Sequence, residues 1–169
     1  MFKLFGHNLS LRYNIKKKKT KYWATSKKDD WETPKDLFKN LDSLFNFTLD
    51  PCASKENALC NKFYTKEDDG LTKDWSNEVV FMNPPYNHMV KKWIEKAYRE
   101  SLKGAVIVCL IPSRTETKYW HKYIFPFAET IKFIEGRLRF SNSNKDAPFP
   151  SAIIVFGSKD WPKVLESSF

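Results

Sequence analysis

The sequence is poor in the residues that build metal sites, disulfides and glycine-rich phosphate loops. Its 169 residues include three cysteines, three histidines and five glycines. The cysteines have no Cys-x-x-Cys spacing and no nearby histidine pair, so we expect reduced thiols and no structural or catalytic metal. The histidines at 7, 88 and 121 are isolated and indicate no catalytic triad. The Gly-x-Gly turn typical of many nucleotide-binding folds is also missing.

Long apolar segments are absent as well. The longest apolar stretch runs from Ala105 to Pro112, far short of the roughly 20 residues that a membrane-spanning helix needs. The basic N-terminus lacks the apolar segment and cleavage site of a secretory signal. We therefore expect a cytoplasmic protein that has no membrane partner.

Charge is distributed unevenly along the chain. Residues 1–30 contain nine Lys or Arg against two Asp, whereas residues 31–169 contain 20 basic and 18 acidic residues. This shift predicts a basic, flexible N-terminal arm over 1–30 and a single domain over 31–169, since 41% apolar content is enough for one core. The lysine run at 16–19 could neutralise nucleic-acid phosphates, could be merely solvated, or could precede the native start of translation.

Hydrophobic periodicity predicts strands that alternate with helices. The first helix is expected to have Thr33 as its N-cap and Pro34 at its first position. This alternation favours an abbreviated α/β domain with a mostly parallel sheet, whose ligands bind at the carboxyl ends of the strands. The further predicted strands lie at 47–50, 62–65, 79–82, 105–111, 131–134 and 152–156, and the helices at 56–60, 88–103 and, in part, 119–127.

The tetrapeptide Asn83-Pro84-Pro85-Tyr86 directly follows one of these strands. The side-chain oxygen of Asn83 can accept one N–H of a planar amine, and the carbonyl of Pro84 can accept the other. Two acceptors would localise the lone pair of an adenine amine, while Tyr86 would stack on a flipped base, a contact worth roughly 1–3 kcal/mol. The alternative is a Pro-Pro turn that ends a buried strand. Chance alone would produce this tetrapeptide in about one such chain per thousand, so we favour the amine-binding interpretation.

A second group of polar residues is typical of a nucleoside site. Asp50 follows the first predicted strand, and Cys52 and Ala53 are small enough for close approach to a ligand, although a capped turn fits equally well. Glu67 and Asp68 lie 17 and 18 residues further on, close to the roughly 20 expected of an acid that binds ribose hydroxyls. Their spacing does not separate the two.

Two further features could contact the same ligand. Asp69 precedes Gly70 and could accept from a cofactor's adenine amine, or could simply form a turn. The helix start at Thr33-Pro34 offers free N–H groups to an anion such as an amino-acid carboxylate, or is an ordinary cap.

Two basic and aromatic clusters are candidate DNA contacts. Phosphate contacts would position a duplex, and a bidentate Arg could read guanine, although solvated surface is the competing interpretation. No separate recognition domain fits this length, so loops 113–122 and 136–150 would have to read sequence. The clusters contain Arg114, Lys118, Trp120, His121 and Lys122, and Arg137, Arg139 and Lys145.

An ordered set of motifs resembles the phage-type (Dam-like) DNA N6-adenine methyltransferase family. The motifs are Trp-x-Thr-Pro at 31–34, Asp-Pro-Cys-Ala at 50–53, Asp-Gly-Leu at 69–71, Asn-Pro-Pro-Tyr at 83–86, Pro-Ser-Arg at 112–114 and Gly-Arg-Leu-x-Phe at 136–140. The resemblance implies a Rossmann-like fold and site-specific methyl transfer from S-adenosyl-L-methionine to the N6 amine of adenine in double-stranded DNA. We also expect a monomeric protein of a bacterial cell, encoded by a phage or prophage or acting in restriction-modification, whereas the recognition sequence and the biological role stay open.

The resemblance also implies roles for particular residues. The target adenine is expected at Asn83, Pro84, Pro85 and Tyr86. The cofactor is expected at Trp31, Thr33, Pro34, Asp50, Cys52, Ala53, Glu67, Asp68 and Asp69, with Thr33 at its methionine end.

Two other functions remain open at this point. One is a protein glutamine N5-methyltransferase, whose substrate amide would present the same two N–H groups to the tetrapeptide, although the basic arm and the lack of an N-terminal helical module disfavour it. A non-catalytic DNA-binding protein could retain the scaffold. One departure from larger methyltransferases is the interval of 33 residues between Asp50 and Asn83, which leaves little room for the usual second helix.

Overall fold

The computed structural model describes residues 28–157. The basic arm predicted for 1–30 therefore lies outside the described residues except for its last three positions. The described part is one α/β unit with a six-stranded sheet. The strands are β1 (Leu49–Asp50), β2 (Lys62–Phe63), β3 (Val79–Met82), β4 (Val106–Pro112), β5 (Thr130–Phe133) and β6 (Ser151–Phe156).

The strand order across the sheet is β2-β1-β3-β4-β6-β5. β1 is parallel to β2 and to β3, and β3 is parallel to β4. β6 is antiparallel to both β4 and β5. All strands except β6 therefore run in one direction, and the predicted α/β fold with a mostly parallel sheet is confirmed. The carboxyl ends of β1, β3 and β4 meet at the same edge.

Helix α1 (Lys35–Phe45) packs on one face of the sheet because its apolar residues recur at helical spacing. Phe38, Leu41 and Phe45 are buried, and the Phe38 ring lies edge-on to Phe81 of β3 at 5.1 Å. The prediction of its cap was wrong. Pro34, not Thr33, occupies the N-cap position, and no side chain caps the helix there.

Helix α2 (Val90–Ser101) joins β3 to β4 and confirms the helix predicted over 88–103. It begins later and ends earlier than predicted. Val90, Trp93, Ile94 and Ala97 form its buried face. The chain then turns at Gly104, whose φ of +98° favours a residue without a Cβ atom. β4, which follows, is buried along almost its whole length on both faces, as the unbroken apolar run predicted.

The helix predicted at 56–60 was wrong. This stretch consists of a turn followed by irregular chain, because side chains capture the backbone groups that a helix would use. The N–H of Ser54 donates to Asn57 Oδ1 at 2.7 Å, and the N–H of Leu59 donates to Asp50 Oδ2 at 3.3 Å.

The predicted helical character of 119–127 is confirmed as a π-helical turn (Trp120–Ile124) that continues into the short helix α3 (Phe125–Phe127). β5 follows at the edge of the sheet, and the polar loop 134–150 connects it to β6. Within residues 28–157, none of the helices has the length and apolarity needed to cross a membrane.

Candidate active site

A cleft of about 880 Å³ opens beside the carboxyl ends of β1 and β3. It brings together segments that are far apart in sequence, as the carboxyl-edge rule predicts. Among the sequence-predicted residues, its walls contain Trp31, Thr33, Asp50, Cys52, Ala53, Asp69, Asn83, Pro84 and Pro85. The segment 112–114 ends β4 at this edge but does not line the cleft, because β4 extends three residues past the level of Met82.

The carboxamide of Asn83 is held in one orientation. Its Nδ2 donates to the Trp31 carbonyl oxygen at 2.6 Å and to Thr33 Oγ1 at 2.9 Å. A carbonyl can only accept, so the amino group must face Trp31 and the oxygen must point elsewhere. Asn83 Oδ1 is buried and has no hydrogen-bond partner within the described chain. The acceptor predicted from the sequence is therefore present and unused.

Tyr86 lies in a different place from the one expected of a base-stacking ring. It is 7% exposed and does not line the cleft. Its hydroxyl donates to the Leu110 carbonyl at 3.2 Å, and its ring lies edge-on to Phe149 and Phe140 at 5.5 and 6.0 Å. Burial raises the pKa of its phenol well above the ordinary value. Base stacking stays a prediction, and it requires the buried ring to become accessible to a base.

The segment 28–33 lies against the loop 140–142 beside the Asn83 motif. The Lys28 ammonium donates to the Asn142 carbonyl at 2.7 Å, and Ser141 donates from its N–H and its hydroxyl to the carbonyls of Glu32 and Thr33, both at 2.9 Å. The Trp31 ring packs on Phe140 at 5.1 Å. These contacts fix the backbone that in turn holds the Asn83 carboxamide.

Asp50 is buried at the end of β1 and organises the loop that follows. Its two carboxylate oxygens accept from the N–H groups of Cys52 (3.2 Å) and Leu59 (3.3 Å). Burial raises the pKa of this carboxyl to about 6, and the two backbone hydrogen bonds oppose the shift. Asp50 therefore lines the cleft as a buried carboxyl whose charged form is disfavoured by burial.

The turn at Asp69-Gly70 approaches the Asp50 loop closely. Asp69 has a left-handed backbone with φ of +51° and lines the cleft. A Cβ atom on Gly70 would lie 2.3 Å from the Pro51 carbonyl oxygen and 3.2 Å from the Trp93 ring. Glycine at position 70 is thus required for the Asp69 turn to contact the loop after Asp50. The sequence had predicted that both segments bind the same ligand.

Glu67 and Asp68 lie outside the cleft. Both are exposed, and the Asp68 carboxylate accepts from the backbone N–H and the hydroxyl of Thr65, which lowers its pKa. The ribose role predicted for one of them has no support in this arrangement. Thr65 and Lys66 occupy the wall instead, and the sequence carried no signal for them beyond their position next to the acids.

Acidic side chains dominate the cleft. Among residues 28–157, two basic side chains, from Lys35 and Lys66, accompany them in the walls. The cleft thus carries an excess of negative charge and suits a ligand with a positive centre better than a phosphate. The acidic residues are Asp29, Asp30, Glu32, Asp50, Glu56 and Asp69.

The candidate DNA contacts separate into buried and exposed residues. Trp120 is 0% exposed and stacks on Phe133 at 6.0 Å, so its predicted DNA contact was wrong because the side chain belongs to the core. Arg139 is exposed and pairs with Asp146 at 3.0 Å. The exposed residues Lys118, His121, Lys122, Arg137 and Lys145 remain candidates, and Arg114 is partly buried.

The cysteines and acids form no metal-binding cluster within residues 28–157. Cys52 and Cys60 are half-buried and Cys109 is buried, all as free thiols. Burial raises the pKa of each thiol. Their environment therefore favours the neutral thiol.

Fold and cleft together define an α/β protein with an acidic ligand site and an unused amide acceptor at the carboxyl edge of its sheet. The family model for DNA N-6-adenine-methyltransferase (Dam) matches residues 19–161. The chain belongs to this family, and the resemblance of the motifs is confirmed.

Two curated relatives carry that same description. The protein from Haemophilus phage HP1 (strain HP1c1) is 28% identical over 151 residues, which cover 85% of this chain and 87% of the relative. The protein from Escherichia phage T1 is 39% identical over 113 residues, which cover 66% of this chain and 47% of the relative. The chain thus matches about half the length of the phage T1 protein.

Proposed function

We propose that this protein transfers a methyl group from S-adenosylmethionine to the N6 amine of adenine in DNA. Family membership supports the reaction, since both phage relatives carry the name DNA N-6-adenine-methyltransferase. The observation that carries the proposal is the unpaired, buried Oδ1 of Asn83. Leaving such an acceptor without a donor costs about 1–3 kcal/mol, and a substrate amine would supply the missing N–H.

The chemistry requires an acceptor that does not itself take up a proton. The lone pair of the adenine amine is delocalised into the ring, and acceptance of its N–H groups by Asn83 Oδ1 and the Pro84 carbonyl would localise that pair. An amide keeps its neutral charge throughout, unlike a carboxylate. Lowering of the barrier then comes from orientation and charge complementarity, with no general base among the residues that hold the amine.

The cleft fits S-adenosylmethionine, which supplies an electrophilic methyl group on a positively charged sulfur when it is bound. Its volume of about 880 Å³ falls within the roughly 300–1,000 Å³ range of small-molecule sites. Asp50, Cys52, Ala53 and Asp69 would hold the cofactor. The excess of acidic side chains in the walls favours the cationic sulfonium.

The strand order and the single reversed strand support an abbreviated Rossmann-like methyltransferase fold. Between β1 and β3 the chain has only turns, β2 and a three-residue 3-10 helix (Gly70–Thr72). The usual second helix is therefore missing from the described residues, as the short interval from Asp50 to Asn83 predicted.

Incubation of the protein with methyl-labelled S-adenosylmethionine and unmethylated double-stranded DNA tests the function. We expect the label in N6-methyladenine after digestion of the DNA to nucleosides. Label recovered in a protein glutamine would instead support a protein methyltransferase. DNA binding without any label would support a non-catalytic protein.

A further inference from the structure

We propose that Thr33 is a positioning residue for methyl transfer, whose hydroxyl locks the Asn83 carboxamide with Oδ1 free for the substrate amine. The inference rests on the proposed function and assigns Thr33 a role different from the cofactor contact expected from the sequence. The carrying contact is the hydrogen bond of 2.9 Å from Asn83 Nδ2 to Thr33 Oγ1.

The two anchors of the carboxamide act differently: the Trp31 carbonyl excludes a half-turn, and the Thr33 hydroxyl restricts smaller rotations. Nδ2 carries two N–H groups, which are directed to the Trp31 carbonyl at 2.6 Å and to the Thr33 hydroxyl at 2.9 Å. With both satisfied, rotation about the terminal torsion of Asn83 would break at least one hydrogen bond. A half-turn would bring Oδ1 against the Trp31 carbonyl oxygen, which repels it. The orientation of the acceptor is thereby fixed before any substrate arrives.

Thr33 is itself held firmly. Its side chain is buried, with 7% of the residue exposed. Its carbonyl accepts from the Ser141 hydroxyl at 2.9 Å. The following residue, Pro34, restricts the backbone of Thr33 to extended conformations. The hydroxyl therefore has a fixed position relative to Asn83.

The hydroxyl of Thr33 uses a lone pair to accept from Asn83, so its own proton stays available for another acceptor. A contact to the carboxylate of the cofactor would use that proton and would appear in cofactor affinity. Positioning of Asn83 would appear in the chemical step at saturating cofactor. The two roles are therefore separable by measuring binding and rate independently.

The test compares Thr33→Val, which keeps the shape and removes the acceptor, with Thr33→Ser, which keeps the hydroxyl. In single turnover at saturating S-adenosylmethionine and DNA, we expect Thr33→Val to be slower by roughly 10- to 100-fold. Thr33→Ser should stay within about threefold of the wild type. Calorimetry with S-adenosylhomocysteine should give a dissociation constant for Thr33→Val within about twofold of the wild-type value.

Unchanged single-turnover rate in Thr33→Val, with or without weaker S-adenosylhomocysteine binding, would overturn the proposal. Equal loss in the Ser variant would also overturn it, because the hydroxyl would then not be the active feature. If Thr33→Val does not fold, Thr33→Ala replaces it and is judged by the same rates.

A readout that needs no activity separates this inference from the proposed function. The side-chain NH₂ protons of Asn83, observed by ¹⁵N-edited NMR, should be dispersed and protected from exchange in the wild type and in Thr33→Ser. In Thr33→Val, the proton directed to position 33 should lose protection, whereas the proton bonded to the Trp31 carbonyl should keep it. A wild type that shows this protection but labels no DNA would contradict the function and leave the locked carboxamide intact. Equal protection in all three proteins would show that the Thr33 hydroxyl does not hold the Asn83 carboxamide.

Discussion

The two halves of the sheet are built in different ways. β4 and β6 have seven and six residues, pair with each other through six residues and are buried almost throughout. β1 and β2 have two residues each, and the segments around them are turns held by side-chain hydrogen bonds. The half that contains β4 and β6, here called the scaffold half, supplies stability from apolar packing. The half that contains β1, β2 and the residues following β3, here called the cleft half, has little regular structure and forms a cleft with a buried charge and an unpaired acceptor.

The largest expected effect is on activity in the cleft half. Replacement Asn83→Ala removes the acceptor for the substrate amine and should slow methyl transfer by roughly 1,000-fold or more. Stability should change little, since the unpaired Oδ1 disappears together with the two Nδ2 hydrogen bonds. Rates with labelled cofactor and urea unfolding check the two expectations.

The exposed helical residue Asn40 provides a matched control, because Asn40→Ala removes the same side chain away from the cleft. It should leave the rate unchanged. Methylation that survives in Asn83→Ala would show that the amide does not hold the amine.

A substitution in the scaffold half should instead lower stability and leave the cleft able to bind its ligand. Ile154 in β6 is 0% exposed, and Ile154→Ala should lower the free energy of unfolding by about 2–5 kcal/mol through lost burial and a residual cavity. Cofactor binding by the folded fraction should be retained, as calorimetry at low temperature would show. If the fully folded Ile154→Ala variant failed to bind the cofactor, packing in the scaffold half would also determine the shape of the cleft.

The charge of Asp50 should make the stability of the cleft half depend on pH. Burial raises its pKa from 3.8 to about 6, so the folded state binds the proton more tightly than the unfolded state. Its stabilising contribution is fully present below pH 3.8 and is lost as the pH rises through about 6. The shift corresponds to about 3 kcal/mol.

Comparison with Asp50→Asn isolates this effect, because the amide does not titrate. The difference in unfolding free energy, wild type minus variant, should fall between pH 4 and pH 8. The amide offers one acceptor to the two N–H groups, which adds an offset that does not vary with pH. A difference that rises with pH would contradict the raised pKa.

The sequence predicted the scaffold half better than the cleft half. The apolar runs of β3, β4 and β6 and the periodicity of α2 depend on burial alone, so their positions agree with the structure within one or two residues. The failures lie where side chains replace backbone partners. Asp50 and Asn57 capture N–H groups in the stretch predicted as a helix.

Within the site, the sequence identified the residues that follow strands but not the contacts between segments. Asp50 and Asn83 share the cleft as expected. The bond between Thr33 and Asn83 joins positions 50 residues apart, and no local pattern encodes such a pairing. Trp120 was misjudged because an aromatic residue beside lysines has the same sequence pattern whether it stacks on a base or fills a core.

The smallest effect concerns the contact between the two cleft walls. Gly70→Ala places a Cβ atom 2.3 Å from the Pro51 carbonyl oxygen, which must move away. We expect a loss of about 1–3 kcal/mol in unfolding free energy, together with weaker binding of S-adenosylhomocysteine, since the displaced backbone continues into Cys52 and Ala53.

Gly104→Ala is the matched control for that change. Gly104 has a φ of +98° and no atom within 4 Å of a Cβ, so alanine there costs roughly 1 kcal/mol from backbone strain alone. It lies after α2, remote from the cleft walls, and should leave cofactor binding unchanged. If both variants lose stability equally and neither alters binding, close approach at Gly70 does not shape the cofactor site. If only Gly70→Ala weakens binding, the contact between the Asp50 and Asp69 walls is what keeps the cleft in its ligand-binding form.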